Sequence, residues 1–166
     1  NTITYNNIYN FYNATSTSYV GAGILLTNGY NSNWTITYNN FYQTSTRSTG
    51  GSGAETYGIY VNGVEGGNFT ISNNFIGGTS PNCGSTPMTI STAATNTFRG
   101  MYLSLGTSSS STISNNTIKN ISFSSATSSS VSSAISVLNG AATVSENTIG
   151  DLSVDASSAP SITFSS

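Results

Sequence analysis

Thr112-Ile113-Ser114-Asn115-Asn116-Thr117-Ile118-Lys119 is one of five near-copies of a single phrase. The others are Thr2-Ile3-Thr4-Tyr5-Asn6-Asn7-Ile8-Tyr9, Thr35-Ile36-Thr37-Tyr38-Asn39-Asn40-Phe41-Tyr42, Thr70-Ile71-Ser72-Asn73-Asn74-Phe75-Ile76-Gly77 and Thr143-Val144-Ser145-Glu146-Asn147-Thr148-Ile149-Gly150. The rule is T-[IV]-[ST]-x-N-x-[IF], and its starts at residues 2, 35, 70, 112 and 143 give a period of 31 to 42. Self-similarity at such a period is the mark of a repeat architecture, in which each unit buries its apolar face only against its neighbours.

A second phrase precedes four of the copies. Gly23-Ile24-Leu25-Leu26, Gly58-Ile59-Tyr60-Val61 and Gly100-Met101-Tyr102-Leu103 each begin 12 residues before the next Thr, and Ala134-Ile135-Ser136-Val137 begins 9 before. A third apolar stretch follows in Ile118–Phe123 and Ile149–Val154, with a weaker version at Ile8–Phe11. Apolar residues alternate with Ser and Thr in all of these, the period-2 pattern of a strand with one buried face. The expected fold is therefore all-β: a parallel β-helix (solenoid) with three short strands per coil and about five coils. Asn116, Asn120, Asn147 and Asp151 stand between strands, where residues tolerant of left-handed backbone are needed.

Stacking such coils about 4.8 Å apart places like residues in columns. Asn6, Asn39, Asn74, Asn116 and Asn147 are expected to form an amide ladder, each side chain bonding those above and below. Ile3, Ile36, Ile71, Ile113 and Val144 form one apolar column; Ile8, Phe41, Ile76, Ile118 and Ile149 form another. The variable length falls in Thr44–Tyr57, Gly77–Arg99 and Ser124–Ser133, read as loops at one corner. Loop closure entropy grows slowly with length, so such insertions cost little.

Composition narrows the function classes. Only eight of 166 residues are charged, net charge is −2, and Ser, Thr and Asn number 78. Three basic residues argue against nucleic acid, which demands a basic footprint. No run of 18 apolar residues exists, so no membrane insertion is expected. Residue 1 already opens a strand, and Ser161-Ile162-Thr163-Phe164 reads as the opening strand of a sixth turn. Residues 1–166 are thus expected to be a single β-helix segment of a longer array, its partners being neighbouring coils of the parent. The lone Cys83 lies in the longest insertion, as a free thiol or paired with another segment of that parent.

Candidate chemistry is sparse. With no His, neither a Ser-His-Asp arrangement nor an imidazole metal site is possible. The acids are Glu55, Glu65, Glu146, Asp151 and Asp155. Glycoside hydrolysis needs two facing carboxylates, and no such pair is evident. Asp151 and Asp155, four apart, are at most a weak Ca²⁺ site. Arg47, Arg99 and Glu55 are read as loop residues forming a surface ion pair. No catalytic residue, metal or cofactor is therefore expected. Aromatics are the better lead: Tyr5 and Tyr38 share a column, as do Tyr9 and Tyr42, and Tyr60 and Tyr102. If Tyr9 and Tyr42 face outward, they and Trp34 offer flat rings to a surface polysaccharide. Thr2/Thr4, Thr35/Thr37, Thr70/Ser72, Thr112/Ser114 and Thr143/Ser145 form hydroxyl rows like those of ice-binding solenoids.

The phrases Thr112–Ile121 and Gly58–Val61 resemble right-handed parallel β-helix repeats of the pectate-lyase-like superfamily. Their Ser/Thr-rich N-N-T-I-x-N-I style is similar to large Bacteroidota surface proteins, including gliding adhesins exported by the type IX secretion system. The resemblance covers nearly the whole chain and implies a right-handed coil. It implies an extracellular, cell-surface filament whose five turns span about 24 Å, acting as stalk or binding segment. The superfamily's catalytic carboxylates and arginines have no matching cluster here, so polysaccharide lyase or hydrolase activity is only an alternative, and ice binding a second. With so few charges, stability depends little on screened ion pairs. The thermal midpoint is expected to be nearly equal at low and high ionic strength; a large drop in a salt series of melting curves would overturn this.

Overall fold

A computed structural model describes residues 1–12, 20–27, 32–49, 53–62, 66–92, 96–124, 132–150 and 162–165. Among these, every regular element is a strand, and the strands form four parallel sheets. Sheet I contains β1 (Thr2–Thr4), β4 (Thr35–Thr37), β8 (Thr70–Ser72), β12 (Ser111–Ser114) and β16 (Ala142–Ser145). Sheet II contains β2 (Asn7–Tyr9), β5 (Asn40–Tyr42), β9 (Phe75–Ile76), β13 (Thr117–Ile118) and β17 (Thr148–Ile149). Sheet III holds β6 (Arg47–Thr49), β10 (Met88–Thr92), β14 (Ile121–Ser124) and β18 (Ile162–Ser165). Sheet IV holds β3 (Val20–Leu26), β7 (Glu55–Asn62), β11 (Thr97–Ser104) and β15 (Ser133–Asn139). Each strand pairs with its counterpart one period away, so neighbours in every sheet follow chain order. This is the stacking pattern of a β-solenoid.

Register follows the repeat residue for residue. Thr2, Thr35, Thr70, Thr112 and Thr143 lie opposite one another, and so do Ile3, Ile36, Ile71, Ile113 and Val144. Sheet II aligns Ile8, Phe41, Ile76, Ile118 and Ile149. The central members of both columns are fully buried and belong to one continuous core.

The expectation of three strands per coil needs correction. The eight-residue phrase is two strands, one in sheet I and one in sheet II, so four sheets line the coil. The bend falls on the fourth residue of the phrase: Tyr5, Tyr38, Asn73, Asn115 and Glu146 all have φ between 55° and 58°. The left-handed conformation thus belongs to the residue before the ladder Asn, not to Asn116 or Asn147; Asn120, with φ 57°, adopts it as expected. This backbone costs an L-residue about 1–2 kcal/mol, which Asn tolerates best and Tyr and Glu less well.

What offsets that cost is the amide ladder. Nδ2 of Asn6, Asn39, Asn74 and Asn116 donates to Oδ1 of the Asn one coil on, at 2.9 to 3.1 Å. The same Oδ1 also accepts the backbone N–H of the preceding Asn at 3.0 Å. The second Nδ2 proton goes back to a sheet I carbonyl of the previous coil: Asn39 to Ile3, Asn74 to Ile36, Asn116 to Ile71 and Asn147 to Ile113. Each internal Asn therefore donates two side-chain bonds and accepts two. At about 1 kcal/mol net per bond, four bonds exceed the strain of one left-handed residue. Asn39, Asn74 and Asn116 are completely buried, and no buried side-chain N or O among the described residues lacks a partner.

The glycine phrase marks the closest approach across the core. A Cβ on Gly23 would come 2.6 Å from the Phe41 ring; on Gly58, 2.9 Å from Ile76; and on Gly100, 3.1 Å from Ile118. Sheet IV backbone packs directly on the large side chains of sheet II at these points.

Two further expectations change. The stretches read as loops at Thr44–Tyr57 and Gly77–Arg99 contain β6 and β10, the missing strands of sheet III. Ile162–Phe164 does not open a further turn; it pairs with Ile121–Phe123 in sheet III. The insertion Thr79–Pro87 is folded back on itself and held by Asn120, whose Nδ2 donates to the carbonyls of Cys83, Ser85 and Thr86.

Asn74→Ala removes the acceptor for two Asn39 protons and the donor for Ile36 in a dry interior. It is expected to cost about 3–5 kcal/mol, since each orphaned buried group costs about 1–3 kcal/mol. Asn6→Ala, at an exposed position, is expected to cost under about 1 kcal/mol because water replaces the lost partner. Urea unfolding of both variants, monitored by circular dichroism, checks the difference; equal losses would contradict the ladder's role.

Candidate functional site

The outward tyrosines sit on the steps of the stack. Tyr5 and Tyr38 occupy the sheet I–II bend in adjacent coils, with ring centroids 4.9 Å apart and planes within 4°. Tyr9 and Tyr42, paired at the ends of β2 and β5, are 5.3 Å apart and tilted by 17°. Tyr5 is 75% exposed and Tyr9 55%, so the columns do face solvent. Their geometry differs from a flat platform, however. A stacked pair covers one face of each ring with its neighbour, leaving edges, phenol oxygens and the outer faces of the end rings.

Trp34 lies elsewhere. It is half-buried against the core at the entry to β4, in line with the buried Phe69 that precedes β8. The ring contacts among the described residues join Tyr9 to Tyr42 and do not include Trp34. The structure thus brings together two of the three expected ligand-contact residues.

The hydroxyl rows are unequal. Thr2, Thr35, Thr70, Thr112 and Thr143 are all exposed and in register. In the second row Thr37 and Ser72 are buried, and Thr37 Oγ1 is bonded to Thr4 Oγ1 at 3.1 Å. One row of hydroxyls is open, not a flat two-row grid.

A polar-aromatic cluster that sequence reading missed occupies the outer side of sheet IV. Register places Arg99 opposite Tyr57, and Tyr102 opposite Tyr60. Arg99 Nη1 donates to Tyr57 Oη at 3.1 Å, and the guanidinium lies 4.9 Å from the centroid of Tyr102. Tyr57 in turn hydrogen-bonds the Glu55 side chain; burial, then that bond, push its hydroxyl far above the ordinary tyrosine range. Burial raises Tyr60 as well, with Tyr102 and Glu55 beside it. Glu55 and Arg99 therefore lie in strands β7 and β11 instead of loops, and their link runs through Tyr57. The signal was present: counting back one residue from Gly58 and Gly100 sets Tyr57 against Arg99. Arg47, also on a strand, donates from Nε to Gln43 Oε1 at 3.2 Å and lies over the Tyr12 ring.

The two described acids do not converge. Glu146 sits in the sheet I–II bend and Glu55 at the start of β7, on a different sheet and different coil. Among the described residues no group of three His, Cys, Asp or Glu side chains is placed to hold a metal ion. Glu65, Asp151 and Asp155, with the Ca²⁺ site expected of the last two, lie outside the described residues. A groove of about 450 Å³ lined by Ala134, Ile135, Val144, Ser145, Glu146, Asn147 and Ile149 is the core edge of the fifth phrase. Its Val144 and Ile149 simply continue the two apolar columns.

Cys83 is free and buried, with its Sγ 3.6 Å from the Thr117 carbonyl. Burial pushes its thiol from 9.0 up to about 11, so it is not an activated nucleophile at neutral pH.

No protein-family model, curated protein or solved structure matches this chain.

The Cys83 environment is testable. Its raised pKa means that the unfolded chain loses this proton first, so its stabilising contribution is intact below pH 9 and lost as pH rises through about 11. Native Cys83 is expected to resist alkylation by iodoacetamide at neutral pH and to react promptly in urea. Cys83→Ala is expected to flatten part of the stability loss between pH 9 and 11, measured by urea unfolding; rapid native alkylation would contradict the buried placement.

Proposed function

We propose that this chain is a right-handed, pectate-lyase-like β-helical segment of about five coils within a longer extracellular filament, serving as a stiff stalk with adhesive sides. Coil-to-coil passage is a parallel crossover, and such connections are right-handed in about 98% of cases. The observation that carries the reading is the unbroken ladder from Asn6 to Asn147, which makes stacking repeatable without limit along one axis. Added coils would extend the rod and leave its cross-section unchanged. The sides carry hydroxyls, amides and tyrosine edges with few charges, a surface suited to neutral, hydroxyl-rich polymers. On this reading the contact residues are Tyr5, Tyr9, Tyr38 and Tyr42, and the ligand is a surface polysaccharide held by many weak contacts along the rod. No catalytic group is assigned.

Adhesion tests the proposal. Beads carrying the chain in oriented attachment are expected to stay on polysaccharide-coated glass under flow and wash off bare glass. Replacing Tyr5, Tyr9, Tyr38 and Tyr42 with Ser is expected to reduce retention about ten-fold, as loss of roughly 1.4 kcal/mol per tethered contact patch implies. Retention that is unchanged in this variant, or equal on both surfaces, would remove the adhesive part of the reading.

A further inference from the structure

We propose that Tyr5 and Tyr38 form a site of oxidative cross-linking, where a one-electron oxidant of the peroxidase class, supplied with hydrogen peroxide, couples the two rings into a dityrosine that bolts one coil to the next. The inference is separate from adhesion and rests on ring geometry alone.

Coupling needs two phenols held together, exposed to the oxidant, and free to turn. Tyr5 and Tyr38 meet all three conditions. Their flanking residues are locked in register by Thr4 opposite Thr37 and by the Asn6–Asn39 bond. Both backbones take the same left-handed turn, φ 57° and 58°, so the side chains leave the stack in parallel. The centroids are 4.9 Å apart and the rings almost parallel, which sets each ring carbon near its counterpart. Exposure is 75% for Tyr5 and 45% for Tyr38, so the oxidant reaches them and Tyr5 has room to swing its edge inward.

The other tyrosine pairs are less suited. Tyr60 and Tyr102 stack at 5.0 Å and 6°, but both are half-buried and Tyr102 lies beneath Arg99. Tyr9 and Tyr42 are farther apart and more tilted. Tyr57 is buried.

The chemistry balances as follows. Each phenol gives up one electron and its hydroxyl proton, and the two phenoxyl radicals join through the ring carbons ortho to oxygen. Each joined carbon then passes its hydrogen to the phenol oxygen, restoring the aromatic ring. One hydrogen peroxide takes up the two electrons and two protons and leaves as two waters. The radical pair is intramolecular, so its effective concentration far exceeds that of a second chain in dilute solution.

The test is treatment of dilute folded protein with a heme peroxidase and hydrogen peroxide, followed by mass spectrometry. The expected product is a monomer lighter by two hydrogen atoms, with dityrosine fluorescence, whose digest contains a linked pair of peptides holding Tyr5 and Tyr38. Tyr5→Phe and Tyr38→Phe, which keep the stacked rings but cannot form the radical, are expected to cut the yield at least about five-fold, whereas Tyr9→Phe is not. Circular dichroism confirms that the variants fold. Links formed mainly between other tyrosines, links only between separate chains, or an equal Tyr5–Tyr38 yield from the chain unfolded in urea would each overturn the proposal.

Discussion

A row of buried primary amides governs this protein. Backbone pairing alone would let one coil slide over the next by two residues, because the strands are short and many side chains are interchangeable Ser and Thr. The amide row removes that freedom. The backbone N–H of Asn6, Asn39, Asn74 and Asn116 meets the side-chain oxygen of the next ladder Asn, so a slipped coil would bury donors and acceptors with nothing opposite them. Amides aligned head to tail also polarise one another, strengthening a row relative to isolated pairs. Specificity of stacking thus comes from polar groups in a fold whose bulk stability comes from apolar columns.

That division explains where the chain tolerates variation. The residue before the ladder Asn is Tyr, Asn or Glu, because the ladder needs only its backbone angle. Length varies on both sides of sheet III, most between sheets II and III, and so not at one corner as expected; neither connection interrupts the ladder or the columns of sheets I and II. The insertion between β9 and β10 is tied down by borrowed partners, as Asn120 holds three carbonyls of the Thr79–Pro87 segment. Gly23, Gly58 and Gly100 are constrained in the opposite sense: the space for a side chain is already filled by Phe41, Ile76 and Ile118 and by the carbonyl of the next coil.

The sequence revealed the columns because a solenoid writes its contacts at a fixed interval. Register in sheets I and II and the identity of every ladder member followed from aligning five phrases. The bend inside the phrase was harder to see. Period-2 alternation runs from Thr112 to Ile118 with only a one-residue offset, and a left-handed residue in the middle leaves no compositional trace when it is Tyr or Glu. In sheet III the strand at Ile121–Phe123 was legible, but β6 was not: Arg47-Ser48-Thr49 has no apolar residue, so backbone pairing with Ile90–Thr92 creates a strand that hydropathy cannot announce. Trp34 is the converse case. A lone Trp beside a polar phrase suggested a surface ring; register adds that it stands in line with Phe69, half-buried against the core. The link from Arg99 through Tyr57 to Glu55 needed register, hydrogen bonding and burial together, and only the first was available from spacing.

Stacking like on like has a consequence for what this surface can recognise. An isolated exposed aromatic presents two faces to a ligand; an aromatic repeated on each coil loses them to its own copies. The tyrosine columns therefore present edges, hydroxyls and the single outer face of each terminal ring. The Thr row at sheet I is governed by the same spacing, which sets its hydroxyls about 4.8 Å apart. On the proposed reading, a polymer lying along this side meets two tyrosine steps and then Asn73, Asn115 and Glu146 at the same bend, while the Thr row continues through all five phrases. Weak contacts repeated along an axis gain through effective concentration, provided that the rod stays stiff enough to keep them in line. The buried amides supply that stiffness, so the polar row inside and the aromatic rows outside depend on one and the same register.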